Sequence, residues 1–597
     1  MRVGLLGGVP GLSEYSGEIL SMWGVLNVSR LTPGQLQGLD PAQIPVLVLP
    51  AGADVERAVV GAILDYARRG GAVISCLPGL ELAGEAGICI EGDREGPQRL
   101  RLTSTPMAGL AGESLVVVGP SQTWSLPDNE PVTVTLESEA KPPPPTDAVS
   151  WAVLYPAGQD AGGEAPGVVQ RNVGAGTIMA LAFDLPLAVL MLRQGDPNHT
   201  ESGGRPDGPA RPAHLACEVG PQEPDSIPYA DLLGRLLAEW VTDLFPCPLP
   251  HLWHLPDGAP GIVVYSGDED GADVEWNQQQ FAEMTEAGGR MDLYVIPDNT
   301  HSTPSDVSAY RQYHDVGPHP NIRSHDGAPV AARVEEMVRQ IQQFEEMFGI
   351  PARSLRNHCI AWAGYLEPVR AMADIGVGME GNYFCSTFLR DRGYAPYAAF
   401  GAAMPLRFGH PDGELLSVRQ QHTHTMDDVY FGPGYVPYSY AMAPDLWEVV
   451  LARVLDDVVQ RFHVPHATCI HPSNWVRFSR DQGLALVRQA VERQLPVWSF
   501  DQWLGFLETR ETWHCESIRW EGDQLHAAFT GGLGPFCFVM PRQWQGKQLV
   551  ALEVEGGDVA GTAQRYGHSV EMIRVETGPR LQLVATYGDG QAPSSSR

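Results

Sequence analysis

The chain has 597 residues, more than one hydrophobic core serves, so several domains are expected. Hydrophobic residues at 43% and charged residues at 19% mark a folded chain and exclude extensive disorder. The formal charge of −32, from 72 acidic against 40 basic residues, argues against nucleic acid and membrane lipid as partners, because both need Lys and Arg to displace counterions.

The opening Met1–Gly8 is a short apolar stretch broken by Gly-Gly-Val-Pro, with no small-residue cleavage site after it. It reads as a first strand, not as a secretory signal. No run reaches the roughly 18 apolar residues of a membrane span. The nine cysteines are odd in number and never paired as CxxC, which excludes a disulfide framework and a structural zinc site. Reduced thiols in a cytoplasmic protein are the expectation.

Strand and helix signals alternate over the first 85 residues. Arg2–Leu6 is strand-like, Ser13–Val28 helical, and Ile44–Leu49 a buried strand. Asp54–Arg69 is an amphipathic helix ending at Gly70-Gly71, and Ala72–Ser75 is the next strand. This βαβ rhythm predicts a parallel sheet flanked by helices. Short strands follow from about 97 to 184, among them Leu100–Ser104, Val132–Ser138 and Thr177–Phe183, with Pro142–Pro145 marking a loop. Residues 196–228 are rich in Gly, Pro, Asp and Glu and read as a long exposed loop. The helix Tyr229–Phe245 closes a first domain, 1–245. The strand/helix rhythm returns over 246–510. Residues 511–597 are strand-rich with Gly turns, a small β-sandwich with a disordered end at Ala592–Arg597.

Five strands of the middle domain end in titratable side chains, as happens where a βα barrel builds its active site. The first, Gly261–Tyr265, breaks into Ser266-Gly267-Asp268-Glu269-Asp270-Gly271. Acids held side by side bind a cation or raise one another's pKa. The second is His314-Asp315-Val316-Gly317-Pro318-His319-Pro320, with His325 following. The third is Ser354-Leu355-Arg356-Asn357-His358. The fourth runs from Leu416 to His424 and places His422 and His424 two apart, hence on one face of a strand. Substrate contact, ligation and local hydrogen bonding are all open to that pair. The fifth, Ala467-Thr468-Cys469-Ile470-His471-Pro472, delivers a His at a strand end.

In order and spacing these segments resemble the polysaccharide deacetylase (NodB-homology) family. The resemblance implies an irregular (β/α) barrel of the glycoside hydrolase/deacetylase type and a divalent metal, zinc by default. It assigns Asp268 as base, Asp270 and His319 as metal ligands, Arg356 as the partner orienting the base, and His471 as general acid. Two departures stand out. Glu269 separates acids that are adjacent in the family, and the second His ligand falls at His325, two residues later than the family spacing. His358 is the other candidate for that place. The implied activity is removal of an acyl group from an amino sugar or glycan.

The opening segment, on VLVLPAGADVERAVVGAILDYARRGGAVI and GAGTIMALAFDLP, resembles the flavodoxin-like, glutamine-amidotransferase-like domain that accompanies many carbohydrate enzymes. Cys76 lacks the first Gly of the nucleophile elbow and a downstream His-x-Glu, so a buried, non-catalytic thiol is expected. Such domains sometimes self-associate, which leaves a homo-oligomer open. The fold expected is α/β and multidomain, and the hydrolase reading has two rivals. One is a retaining glycosidase pairing Asp268 or Asp270 with Asp427 or Asp428. The other is an inactive carbohydrate-binding protein.

Overall fold

The computed structural model describes residues 1–8, 11–54, 56–103, 114–126, 148–157, 163–200, 209–219, 227–389, 393–433, 439–575 and 578–589. The expected strand Val132–Ser138, the loop Pro142–Pro145 and the terminal Ala592–Arg597 lie outside these residues.

The first sheet has nine strands. Val28–Leu31, Val3–Leu6, Val46–Leu49, Ala72–Cys76 and Gly176–Leu181 lie side by side and parallel. The remaining four continue it antiparallel. Strands such as VGLL and VLVL are buried along their whole length, as parallel strands covered on both faces must be. Gly176 is required where this sheet meets the helix Arg57–Arg68, since a Cβ there would lie 2.2 Å from the Gly71 carbonyl. Cys76 ends its strand fully buried, and burial, then Asp184, push its thiol far above the ordinary value. A thiol so held is not a nucleophile.

The middle of the chain carries two parallel sheets. Asp315–Pro318, Asp292–Val295, Ile262–Asp268, Pro465–Cys469 and Thr425–Met426 form one, with Val497–Trp498 also pairing to Ile262–Asp268. Ser354–Leu355, Met379–Glu380 and Leu415–Gln420 form the other, edged by the antiparallel Arg407–Gly409. Helices such as Val274–Glu286, Val330–Phe348 and Arg480–Glu492 intervene. Because these strands are parallel, their C-terminal ends gather on one rim.

Beyond residue 513 the strands are antiparallel and alternate buried with exposed residues, as in Arg580–Gly588. They form a five-stranded sheet and a four-stranded one. The four-stranded sheet includes His251–Leu252, which precedes the middle sheets in the chain and pairs with Cys537–Pro541. Among the described residues no helix is long and apolar enough to cross a membrane.

Buried charges join the first part of the chain to the middle one. Glu18, on the first helix, pairs with Arg407 at 2.9 Å and Arg419 at 3.4 Å. Arg193 pairs with Asp231 at 2.9 Å, both fully buried. Arg510 donates to the carbonyls of Ser21 (3.0 Å), Met22 (3.0 Å), Leu252 (2.9 Å) and Trp253 (3.3 Å). It thereby ties the end of the helix Ser13–Met22 to the last helix of the middle part, Phe500–Arg510. Replacing it removes a donor from each of these carbonyls, in a place where Arg510 itself is 3% exposed. Arg510→Met is expected to destabilise the protein by about 3–5 kcal/mol, read as a lower denaturant midpoint.

Candidate metal centre

The strand Ile262–Asp268 ends buried, with Asp268 facing the rim. Its Oδ1 accepts from Arg356 Nη1 at 3.0 Å, and its Oδ2 lies 3.7 Å from His319 Nε2. The chain then turns through two left-handed residues, Asp270 (φ 51°) and Gly271 (φ 72°). Asp is among the side chains that tolerate this conformation. Glu269 swings away from the rim. Its Oε1 accepts from Asn277 Nδ2 and Ser302 Oγ, each at 2.8 Å, and its N–H donates to the Tyr294 carbonyl at 2.8 Å. The intervening acid is therefore an anchor that turns Asp270 inward.

His319 follows the strand Asp315–Pro318. Its Nδ1 is 2.6 Å from the Arg356 carbonyl, which only accepts, so Nδ1 carries the hydrogen and Nε2 is left as the ligating nitrogen. That Nε2 is 3.2 Å from Asp270 Oδ1. His358 Nε2 lies 3.8 Å from the same oxygen, and its ring meets that of His319 edge-on at 5.5 Å. The turn that presents it is held by the His358 N–H on the Pro320 carbonyl at 3.0 Å.

Zinc bonds of about 2.0–2.1 Å in a tetrahedron set neighbouring donors roughly 3.3 Å apart. The separations of 3.2 and 3.8 Å around Asp270 Oδ1 are of that order, while the two imidazoles stand wider apart, with ring centroids 5.5 Å from each other. Asp270 and His358 keep 32% and 25% side-chain exposure, so the triplet opens to solvent.

The remaining predicted residues are placed differently. His325 sits on the turn Ile322–His325, shares a 3.0 Å hydrogen bond with Ser324, and makes no ion pair with Asp270. His422 and His424 are fully buried against the Arg193 carbonyl (2.9 Å) and the Ala402 carbonyl (3.2 Å). Burial pushes His424 down to about 4, which keeps it neutral. The residue between them, Thr423, is the one that faces the site and accepts from Arg356 Nη2 at 3.0 Å.

His471 comes from the strand Pro465–Cys469, with Nε2 3.7 Å from Asp270 Oδ2. Its Nδ1 is 2.6 Å from Asp427 Oδ1, and its backbone N–H donates to Asp427 Oδ2 at 3.0 Å. Ser479 Oγ donates to that same Oδ2 at 3.0 Å. Burial alone would lower the imidazole, but Asp427 outweighs it and holds His471 well above the usual histidine value. Burial likewise favours protonation of Asp268, yet His319, Arg356 and His471 together hold its carboxyl below the usual range. Asp427 in this role was not anticipated from the sequence. The signal was there in Thr425–Met426, a sixth strand ending in acid.

Among the described residues two triplets bring ligand-capable atoms all within 4.8 Å of one another, Asp268–Cys469–His471 and Asp427–Asp428–His471; Asp270, His319 and His358 do not meet that spacing as a set. Asp268 is already held by Arg356, Asp427 by His471 and Ser479, and burial pushes the Cys469 thiol well above its ordinary value. Asp270 is the rim carboxylate that two imidazole nitrogens, of His319 and His358, approach through one oxygen.

No protein-family model matches the sequence, and no curated protein does. Among solved structures, a putative polysaccharide deacetylase from Mycobacterium smegmatis aligns at TM-score 0.33 and 15% identity, over 46% of this chain and 100% of its own. The polysaccharide deacetylase Bc1974 from Bacillus cereus aligns at TM-score 0.25 and 11% identity, over 40% of this chain and 91% of its own. A beta-galactosidase from Bacillus circulans aligns at TM-score 0.22 and 14% identity, over 29% and 24%. The amidotransferase resemblance of the opening segment receives no support from these.

Beneath the rim, Glu380 supports the loop carrying His358. Its Oε2 accepts from the Asn382 N–H at 2.7 Å and Nδ2 at 3.0 Å, and Asn382 Oδ1 accepts from the Asn357 N–H at 2.7 Å. Burial raises its carboxyl to about 8 from the ordinary 4.5. The folded state keeps this proton where the unfolded chain has lost it. The stability it brings is therefore full below 4.5 and is lost as pH rises through about 8. Glu380→Gln is expected to match the parent protein in acid and to exceed its stability by about 3 kcal/mol at neutral pH and above, measured by denaturant unfolding across pH.

Proposed function

We propose that the chain is a metal-dependent hydrolase that removes an acyl group from the nitrogen of an amino sugar or glycan. The observation that carries this reading is Asp270, whose carboxylate faces His319 and His358 through one oxygen and His471 through the other. A cation-capable triplet thus lies between an ionised acid, Asp268, and a charged imidazole, His471. We also read the two middle sheets as one incompletely closed βα barrel, and the opening segment as an amidotransferase-like domain that does not itself catalyse.

A divalent cation on Asp270, His319 and His358, zinc by its two-nitrogen, one-oxygen donor set, supplies polarisation of the acyl carbonyl and activation of water. Asp268 is kept ionised by Arg356 and accepts the proton of the attacking water. His471, kept protonated by Asp427, donates to the departing nitrogen. The strongly acidic surface suits a neutral or cationic substrate over an anionic one. A retaining glycosidase would need a carboxyl held protonated to act as acid. The carboxyls at the rim do not offer one, since Asp268 is held ionised and Asp427 is fully engaged by His471 and Ser479.

Asp268→Asn is expected to lower acetate release from N-acetylated oligosaccharides by about 10²–10⁴-fold while leaving the metal content of purified protein unchanged. Reducing-end release without acetate would sink the reading. His358→Ala is expected to lower metal occupancy by about 10-fold or more, whereas His325→Ala leaves it intact; the reverse pattern in elemental analysis would show that the triplet is misassigned. Asp427→Asn removes the charge that raises His471, so the alkaline limb of the rate profile should move to lower pH and the rate at neutral pH should fall.

A further inference from the structure

Just below the rim lies a thiol that the proposed chemistry does not use. Cys469 ends the strand Pro465–Cys469, is fully buried, and pairs in register with Ser266 on the neighbouring strand. It precedes His471 by two residues, as Ser266 precedes Asp268, so alternation sets it one layer beneath those two side chains. One donor atom from each of Asp268, Cys469 and His471 lies within 4.8 Å of the other two. The sulfur is reached from the rim past Asp268 and His471, whose side chains are 6% and 12% exposed.

Each of these upper two residues keeps one donor uncommitted. Arg356 holds Asp268 through Oδ1 at 3.0 Å, which leaves Oδ2, 3.7 Å from His319 Nε2. Asp427 holds His471 through Nδ1 at 2.6 Å, which leaves Nε2. Asp270 stands beside them, with Oδ1 toward His319 and His358 and Oδ2 3.7 Å from His471 Nε2. Two-metal sites place their ions about 3.5–4 Å apart, a span that one carboxylate can bridge.

We propose that Asp268, Cys469 and His471 form a second, inhibitory site for a soft divalent cation, cadmium or excess zinc, next to the centre at Asp270. Its sulfur is what selects a soft ion, since the Asp270 set offers only oxygen and nitrogen. Zinc bonds of about 2.3 Å to sulfur and 2.0 Å to nitrogen put such donors roughly 3.5 Å apart, so the three draw together on binding. The thiol and Nε2 protons pass to water. The cation then occupies the free oxygen of the base and the free nitrogen of the acid at once, and hydrolysis stops. Asp427 behind His471 favours the added charge and Arg356 behind Asp268 opposes it, so this site is the weaker and fills second. The inhibition rests on the hydrolase reading; the binding does not.

Titration of the full-length protein, loaded with one equivalent of zinc, with cadmium tests it. The readouts are ultraviolet thiolate-to-cadmium absorption and acetate release from N-acetylated oligosaccharides. Cadmium is expected to raise the absorption and to lower acetate release by about tenfold or more, whereas magnesium, a hard ion, does neither. Cys469→Ser should remove most of the absorption and weaken the inhibition by about tenfold or more, with acetate release before cadmium as in the parent protein. Cys469→Ala is a second variant with the same expectation, and an unchanged zinc content shows that either one is folded. Cys359→Ser, which removes the thiol next to His358, should leave the absorption in place. The proposal is overturned if absorption and inhibition survive the loss of Cys469, or if Cys359→Ser alone abolishes them. Cadmium NMR of the parent protein needs no variant, and the lack of a sulfur-ligated resonance overturns it as well. Absorption that depends on Cys469 in a protein releasing no acetate would uphold the site and refute the hydrolase reading instead.

Discussion

The arrangement of the rim depends on one residue, Arg356. Its guanidinium holds Asp268, Ser266 Oγ at 2.8 Å, Thr423 Oγ1 and the Gly381 carbonyl at 3.0 Å, and its own carbonyl fixes the tautomer of His319. One fully buried residue thus acts on both the charge of Asp268 and the free nitrogen of His319, the base and a metal ligand of the proposed site. The rings of Tyr294 and Phe500, 5.4 and 5.5 Å from the guanidinium carbon, cover it. An ion pair held this way is costly to break from one side, of order 3–5 kcal/mol, because a buried charge is left uncompensated. Packing around Arg356 and the placing of Asp268 and His319 at the rim are therefore coupled.

The residues that were legible in the sequence are those whose position follows from a strand running into a rim. Asp268, His319, Arg356 and His471 each end or follow a short apolar strand, and parallel strands deliver such residues to a common edge. The residues that were not legible depend on which way a side chain turns. His325 and His358 are equally plausible by spacing, and only the fold of the segment after Pro320, tied back by the His358 N–H, brings the second beside Asp270. His422 and His424 share a face, as two-residue alternation requires, but it is the face packed on the Arg193 and Ala402 carbonyls, so Thr423 took the place facing Arg356. The hydrophobic rhythm of the N-terminal sheet was plain in VGLL and VLVL. The pairing of His251–Leu252 with the last strands was not, because two residues carry no pattern.

Glu269 shows how a local departure is absorbed. An extra acid in the turn would add a third negative charge to the rim. Asn277 and Ser302 instead draw its carboxylate into the gap beside the helix Val274–Glu286, and the left-handed turn at Asp270 and Gly271 restores the direction of the next acid. Gly271 has no substitute here, since a Cβ would fall 2.4 Å from Asn299 Nδ2. With Glu269 drawn aside, this turn gives the rim two carboxylates, Asp268 and Asp270.

Those two carboxylates and the imidazole opposite them are driven apart in proton affinity by their neighbours. Arg356 and His319 overcome the burial of Asp268 and keep it charged, while Asp427 overcomes the burial of His471 and keeps that charged in the opposite sense. A base must be deprotonated and an acid protonated at the same moment, and free carboxylate and imidazole groups satisfy both only in a narrow interval. Lowering the first and raising the second widens that interval on both sides. Asp427, fully buried and fastened by Ser479, thus supports the acid of the proposed site: without it, burial would lower the same imidazole.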